Sequence, residues 1–314
     1  MAIQVTILGA NSAIPTATRF PTSQVIDINQ SRYLIDCGEG TQMQLRRHRV
    51  RLQRIKAIFI SHLHGDHYFG LIGLINTMHM LGRQTELDIF GPPDLKQVLD
   101  LQLKLADTKL SYKWNFHPLN FGEPEVIYED TGVTASTIPL DHRIDCNGFL
   151  FQENKKKRKI RRELIPELNI PVEQFQNIKA GADFVDDKGV LHPNSTITED
   201  PKPSYSYAYC SDTKYNESIV EVVKGADLLY HEATFLEDMI KRAEFTHHST
   251  AKQAATIAKM AEVGQLAIGH YSARYTDFSD HLKEAKAVFE NTQLATEGKV
   301  FSLPRVKPKK KEVE

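Results

Sequence analysis

The sequence predicts an α/β fold, in which strands and helices alternate along most of the 314 residues. Two observations support this prediction. Short runs rich in β-branched and aromatic residues recur in both halves of the chain, and segments with apolar residues at helical spacing lie between them. Because 41% of the residues are hydrophobic, a chain of this length can bury one large core or two smaller ones.

The first half of the chain contains five predicted strands and two predicted helices. The strands cover residues 4–8, 23–28, 33–35, 57–60 and 87–90, where Val, Ile, Leu, Tyr and Phe are concentrated. The helices cover residues 70–81 and 94–106. This mixture is typical of a sheet that helices cover from outside.

The second half contains four further predicted strands, at residues 133–138, 205–209, 228–230 and 266–268. Helices are predicted at 217–224 and 249–262, and a Ser-Thr pair caps the start of the second one. Side chains that can bind a metal follow the strands: His142, Asp212, His231 with Glu232, and His270. Because rigid strands hold ligands well, we expect one shared active-site rim.

The densest chemical signal is the segment 61–67, SHLHGDH, directly after a predicted strand. His62 and His64 are two positions apart on an extended segment, so their side chains can project to one side and share a metal ion. Asp66 and His67 fall in the first turn of a helix that we expect to continue through residues 70–75, where they can face a second ion. A single histidine here would indicate only a surface turn, but four ligands at this spacing predict a zinc hydrolase.

The net charge of −1 is unevenly distributed. A basic run at 307–311 lies near the end of the chain, and a denser block can meet a polyanion: Lys155, Lys156, Lys157, Arg158, Lys159, Arg161 and Arg162. That block opens a region, 153–203, with five prolines and little apolar periodicity. We interpret this region as an insertion, and a solvated linker is the alternative.

The three cysteines, Cys37, Cys146 and Cys210, are far apart and odd in number, which disfavours a disulfide framework and fits a reducing compartment. The sequence predicts neither a signal peptide nor a membrane span. We therefore expect a cytoplasmic protein without membrane contact.

Further motifs narrow the class. They are LIDCGEGTQ at 34–42, HLHGDH at 62–67, HEATF at 231–235, HST at 248–250 and GHYSARY at 269–275. With these motifs the chain resembles the metallo-β-lactamase-fold hydrolases and, within them, the short form of ribonuclease Z, a family of tRNA 3′-processing endonucleases. The resemblance covers nearly the whole chain.

The resemblance implies an αββα sandwich, with two mixed β-sheets face to face and helices outside, and a homodimer. It also implies a catalytic domain at 1–306, interrupted by a tRNA-binding arm at 153–203, and a basic tail at 307–314. The arm departs from the family pattern, because residues 170–179 lack the usual Gly-Pro pair.

The resemblance also implies two zinc ions per chain. One would be held by His62, His64 and His142, the other by Asp66, His67 and His270, and Asp212 would bridge them. Asp66 would accept the proton of the attacking water or only orient that water, and both readings stay open. His248 would protonate the departing 3′-oxygen, and Glu232 would fix its tautomer.

Two arginines are candidates for substrate binding. Arg274 follows His270 by four residues and can hold a phosphate near the metals, and Arg19 lies in a loop that resembles the family's substrate-facing loop. The basic block of the arm suits tRNA phosphates.

These features together predict a dizinc endoribonuclease that removes the 3′ trailer from precursor tRNA and leaves a 3′-hydroxyl on the tRNA. The closest alternative is a broader metal-dependent phosphodiesterase of the same fold. An RNA-binding protein with structural zinc is another, but structural sites are closed and four-coordinate, whereas seven ligands for two ions leave positions open.

Overall fold

A computed structural model describes residues 3–201 and 203–304. The tail at 307–314 lies outside the described residues. The chain divides into two compact units, one formed by Glu153–Ser204 and the other by the residues before and after it. In the described residues, no helix combines the length and the apolar character that crossing a membrane requires.

The larger unit contains two mixed seven-stranded sheets. The first has the order β18-β1-β2-β3-β4-β5-β6, with β1 Ile3–Gly9, β2 Ser23–Ile28, β3 Ser31–Ile35, β4 Ile55–Phe59, β5 Leu87–Gly91, β6 Trp114–Pro118 and β18 Val300–Leu303. The second has the order β17-β16-β15-β14-β9-β8-β7, with β7 Val126–Glu129, β8 Val133–Pro139, β9 Asn147–Glu153, β14 Ser206–Cys210, β15 Leu228–Glu232, β16 Leu266–Gly269 and β17 Thr292–Leu294.

Seven helices belong to this unit in the described residues. They are α1 Thr41–Arg47, α2 Gly65–Tyr68, α3 Leu71–Met80, α4 Asp94–Leu105, α8 Ile240–Thr246, α9 Ala251–Met260 and α10 Ser279–Lys286. A capping box at Thr250 and Gln253 begins α9, because each side chain binds the backbone amide of the other residue.

Alternation along the strands places the core between the two sheets. Tyr33 and Ile35 of β3 face a cluster that both sheets share, whereas Leu34 faces a second cluster under the helices that cover the first sheet. Phe59 of β4 joins the sheets, with its ring centroid 5.5 Å from that of Phe149 and 5.2 Å from that of Phe151. These layers confirm the predicted αββα sandwich.

Two predicted helices differ from the structure. The helix expected to run from Asp66 through residue 75 is broken at Phe69 and Gly70, because the Gly70 amide donates to the Cys37 carbonyl at 2.8 Å and draws the backbone aside. The helix predicted at 217–224 is only a 3-10 turn, Glu217–Ile219. The strands β6, β7, β9, β17 and β18 were not predicted from the sequence.

The smaller unit is folded and has a core of its own. It contains the pairs β10 Lys159–Ile160 with β13 Thr198–Glu199, and β11 Phe184–Val185 with β12 Leu191–His192, together with α5 Leu164–Glu167, α6 Phe175–Ala180 and α7 Asn194–Ile197. Its core consists of Ile160, Ile170, Ile178, Phe184 and Ile197. This apolar cluster shows that Glu153–Ser204 is folded.

Candidate metal centre

The predicted ligands converge at the ends of the strands. His62 and His64 follow β4, His142 follows β8, Asp212 follows β14 and His270 follows β16. His270 has a φ of +59°, a left-handed conformation that costs energy for a residue with a Cβ. Such strain persists where the surrounding structure dictates it, which is common at functional sites.

Four side chains form the first group of possible metal ligands, and their ligand atoms lie within 4.8 Å of one another: His62, His64, His142 and Asp212. His64 Nδ1 lies 3.1 Å from Nε2 of both His62 and His142. The carboxylate oxygen Oδ2 of Asp212 lies 3.7 Å from His62 Nε2 and 3.9 Å from His142 Nε2. Three imidazoles and a carboxylate facing one point are a donor set that suits zinc.

The second group consists of Asp66, His67 and His270. Asp66 Oδ2 lies 3.4 Å from His67 Nε2 and 3.5 Å from His270 Nε2. Within the described residues, these two buried nitrogens have no hydrogen-bond partner. Oδ1 of Asp212 lies 3.3 Å and 3.1 Å from them, so each oxygen of that carboxylate faces one group. The residues present therefore fit a pair of cations.

Hydrogen bonds fix the orientation of the ligand rings from behind. Nδ1 of His67 lies 2.8 Å from the buried carboxylate of Asp36, and Nδ1 of His270 lies 3.0 Å from Thr234 Oγ1. His142 Nδ1 lies 2.9 Å from the carbonyl oxygen of His247. Such partners set the tautomer and leave the opposite nitrogen for a metal.

Burial and neighbouring charges shift the pKa values in opposite directions across the site. Burial lowers the pKa of His62 and lowers that of His142 to about 4, so both rings stay neutral. Burial opposes the charged form of His67 as well, but Asp212, Asp66 and Asp36 outweigh it and raise the pKa of that ring. A metal dication bound at Nε2 of His67 would replace the proton there, because metal and proton compete for the same lone pair.

His248 and Glu232 form a separate pair beside the ligand groups. His248 Nδ1 lies 2.8 Å from Oε1 of the fully buried Glu232, which also accepts hydrogen bonds from the amide of Thr213 at 3.1 Å and from the amide of Thr234 at 3.0 Å. Burial lowers the pKa of His248, but the carboxylate outweighs burial and raises it to about 9. The imidazole is therefore an acid that carries its proton at neutral pH.

These groups open into one cavity of about 390 Å³. Its lining combines catalytic candidates with residues that the sequence did not indicate: Ser12, Ala13, Pro15, Pro21, Glu39, His64, Gly65, Asp66, Phe69, Arg143, Asp212 and His248. Arg143 and Phe69 were missed because neither belongs to a ligand pattern, and their places at the cavity follow only from the fold.

The two arginines singled out from the sequence do not line this cavity, and both have partners within the protein. Arg19 donates to the carbonyl oxygens of Tyr275 at 2.9 Å and Thr276 at 2.8 Å, and its guanidinium lies 4.1 Å from the ring centroid of Phe278. Arg274 donates to Ser272 Oγ at 3.1 Å. The contacts of Arg19 hold the loop between β1 and β2, so its geometry favours a structural role.

The basic block lies in the smaller unit and is partly paired. Lys156 Nζ lies 3.0 Å from Glu153, Lys157 Nζ lies 3.1 Å from Gln176, and Arg158 binds Asp200 and Thr198. Other members line a cavity of about 600 Å³ together with Phe175 and Lys179: Lys159, Arg161 and Arg162. Within the described residues, the side chain of Lys155 makes no hydrogen bond or ion pair.

The chain is similar to several known proteins. A family model described as Anti-Pycsar protein Apyc1 matches residues 3–156. The chain is 50% identical over 297 residues to Ribonuclease Z of Bacteroides thetaiotaomicron, which covers 95% of this chain and 94% of that protein. It is 46% identical over 299 residues to Ribonuclease Z of Parabacteroides distasonis, with 95% and 98% covered.

Solved structures share the architecture. The crystal structure of human tRNase Z, short form, matches with a TM-score of 0.71 and 26% identity, covering 96% of this chain and 100% of that one. The metallo-β-lactamase-fold protein YhfI from Bacillus subtilis matches with a TM-score of 0.68 and 20% identity, covering 96% and 99%. The second similarity shows the common fold alone.

Proposed function

The chain belongs to the ribonuclease Z family, and we infer that it is a hydrolytic endoribonuclease that processes the 3′ end of tRNA. We propose in addition that it uses two zinc ions to cut the 3′ trailer from precursor tRNA, leaving a 3′-hydroxyl on the tRNA. The observation that carries this proposal is the arrangement of Asp212, whose two oxygens face two groups of candidate ligands.

We assign the ions to the ligands already named for each group, with Asp212 between them. Zinc fits because imidazole and carboxylate are ligands it accepts readily. When bound, such a pair of ions lowers the pKa of water toward neutrality and neutralises charge on the phosphate.

Asp66 is assigned the task of orienting the attacking water. Its Oδ2 accepts a hydrogen bond of 2.7 Å from the amide of Ala13, which fixes the carboxylate at the cavity wall. Burial favours the neutral form, but His67 and His270 outweigh it and hold the pKa of Asp66 far below its usual range. A carboxylate that resists protonation is a weak base but a dependable hydrogen-bond acceptor.

His248 is assigned the role of general acid. It lines the cavity and carries a proton at neutral pH, which it can donate to the 3′-oxygen as the bond from that oxygen to phosphorus breaks. Glu232 keeps the other ring nitrogen protonated and stabilises the charge before transfer.

We further propose that the basic block of Glu153–Ser204 binds tRNA phosphates, and that the protein is a cytoplasmic homodimer. The charge of that block and the family resemblance support the first point. Exposed apolar side chains on α1 and α3, including Met43 and Met80, support the second, because such surface often marks an interface. The three buried, unpaired cysteines fit a reducing compartment.

The test is cleavage of an end-labelled precursor tRNA by zinc-loaded protein, beside a small chromogenic phosphodiester and an Asp66→Ala control. Release of the trailer at one position, lost in the variant, is the expected result. Hydrolysis of the small ester alone would favour the broader phosphodiesterase and contradict the tRNA assignment.

A further inference from the structure

Two residues at the mouth of the metal cavity have no part in holding ions. Phe69 is 62% exposed, although aromatic residues usually bury most of their surface. Arg143 is also exposed, and within the described residues its guanidinium makes no hydrogen bond or ion pair. Both line the same cavity as Asp66 and His248. An open aromatic ring and an open guanidinium beside a catalytic cavity indicate a binding surface.

Phe69 is held rigidly despite its exposure. Its amide donates to the Gly65 carbonyl at 2.9 Å, and its ring packs directly on Gly65, where an added Cβ would lie 2.1 Å from ring atom Cε2. The next residue, Gly70, is fixed against Gly38, whose carbonyl oxygen would lie 2.2 Å from an added Cβ. The close packing at Gly65 and at Gly70 therefore holds the Phe69 ring in place, with one side of the ring facing the cavity.

Arg143 is placed by its neighbour in the chain. It directly follows His142, and it lines the same cavity as His64. Arg143 is the one lysine or arginine in the described lining of the cavity. Arg19 and Arg274, in contrast, already have partners in the protein. A free guanidinium at this place suits a phosphate, which it can bind through two hydrogen bonds.

We propose that Phe69 and Arg143 form a nucleotide clamp: Phe69 stacks on the base of a nucleotide that flanks the scissile phosphate, and Arg143 binds a neighbouring phosphate of that strand. This inference rests on the proposed function, because the 3′ end and trailer of a precursor tRNA offer unpaired bases. Every base has a flat face, so the clamp binds trailers of different sequence. The clamp therefore gives the enzyme a preference for RNA strands over phosphate esters that lack a base.

The first test compares KM and kcat for trailer release. Phe69→Leu keeps an apolar side chain but removes the flat ring, and we expect KM to rise about 10-fold, with a much smaller change in kcat, because stacking contributes roughly 1–3 kcal/mol per base. Phe69→Trp is expected to restore KM. Phe245→Ala is the matched control, because that ring is 78% exposed and lies outside the cavity lining. Arg143→Gln is expected to raise KM and to weaken its dependence on salt.

The second test places 2-aminopurine on either side of the cleavage site and uses full-length protein with the Asp66→Ala change, which keeps the RNA intact. Stacking on Phe69 quenches this fluorophore, so binding is expected to lower its emission, and Phe69→Leu in that background is expected to restore it. An unchanged KM and unchanged quenching in Phe69→Leu, with normal cleavage by the parent protein, would overturn the clamp and leave the nuclease assignment intact. Quenching that depends on Phe69, without any cleavage by zinc-loaded parent protein, would overturn that assignment and, with it, the clamp at a scissile phosphate.

Two further outcomes would also overturn the clamp. If Phe69→Leu lowers the molar mass in solution while quenching persists, the ring contacts a second copy of the chain instead of a base. If Phe245→Ala raises KM as much as Phe69→Leu does, exposed aromatic surface in general, and not the cavity mouth, binds the RNA.

Discussion

The hydroxyl of Tyr209 donates a hydrogen bond of 2.6 Å to Oδ2 of Asp36. That same oxygen lies 2.8 Å from Nδ1 of His67. Tyr209, in the second sheet, therefore supports a candidate metal ligand that follows a strand of the first sheet. Ser61 adds two further hydrogen bonds to Asp36, from its amide at 2.8 Å and its hydroxyl at 2.9 Å. The orientation of His67 thus depends on a buried network that spans the sandwich.

Tyr209→Phe is expected to weaken zinc binding about 10-fold, because loss of a partner behind a ligand typically lowers metal affinity 10- to 100-fold. The measurement is competition with a chromophoric chelator. Tyr207→Phe is the matched control, because Tyr207 is buried on the same strand and its hydroxyl binds Gln24 instead. Equal affinities of the two variants would contradict the role given to Tyr209.

His248→Ala is expected to lower kcat for trailer release about 10²- to 10⁴-fold with little effect on KM, because general acid catalysis contributes a factor of this size. A substrate with sulfur in place of the bridging 3′-oxygen has a leaving group that needs no proton. We expect this substrate to restore most of the lost rate in single-turnover cleavage. An equally large defect with sulfur would exclude His248 as the acid.

Chelation of the metals is expected to abolish trailer release. It is also expected to lower Tm, because the carboxylates of Asp66 and Asp212 lose the cations between them. Asp212→Asn is expected to reduce the metal content below two ions per chain, as measured by elemental mass spectrometry. Asp141→Asn is the control, because Asp141 is half-buried and pairs with Lys214 at 3.0 Å outside the ligand groups. Two tightly bound ions in Asp212→Asn would rule out a bridging role.

Lys159→Ala and Arg162→Ala are expected to weaken binding of precursor tRNA and each to reduce the slope of log affinity against log salt by about 1, because each phosphate contact releases a counterion. Arg158→Ala is expected to act differently. Its guanidinium binds Asp200 and Thr198, so its loss should first destabilise the folding of Glu153–Ser204. Filter binding at several salt concentrations measures the slope, and an unchanged slope for the first two variants would contradict the assignment.

His281 is expected to make the fold sensitive to acid. Its ring is fully buried against Tyr271, Tyr275 and Phe278, and neither ring nitrogen has a partner in the described residues. Burial lowers the pKa of His281 from 6.5 to about 4, and the weaker opposing effect comes from aspartates 280, 238 and 277.

The unfolded chain therefore binds the His281 proton more readily, and stability present above pH 6.5 is lost as the pH falls toward 4. Between pH 7 and pH 5 this group should lower the free energy of unfolding by about 2 kcal/mol. Urea unfolding is measured with chelator present for wild type and for His281→Leu. Protonation of the candidate metal ligands contributes equally to both proteins, so the difference in pH dependence reports on His281. Equal pH dependence of both proteins would contradict the prediction.

Sequence periodicity predicted where side chains are buried better than it predicted which element forms. Residues 217–224 carry a helical pattern, and Ile219, Val220 and Val223 are indeed buried, yet only a 3-10 turn forms there. A short segment can bury the same side chains from a series of turns. The strands β7 and β17 escaped prediction because they are short edge strands, and pairing with their neighbours defines them.

The motifs predicted the candidate metal ligands because ligand chemistry restricts both residue type and local spacing. Residues 61–67 supply four of them within seven positions, and the strands that precede the other candidates were predicted from the sequence. Asp36 and Thr234 lie within the motifs at 34–42 and 231–235, but their roles were not predicted, since a residue that orients a ligand is recognised only by its contact with that ligand.

The sequence by itself therefore determined the αββα class, through the family that its motifs resemble, and it predicted the candidate ligand side chains. Only the tertiary structure decided that Asp212 faces two groups, that Asp36 orients His67, and that Phe69 and Arg143 share the cavity mouth. The physical reason is separation along the chain. Contacts such as that between Tyr209 and Asp36, 173 positions apart, depend on packing between sheets, and no local pattern encodes them.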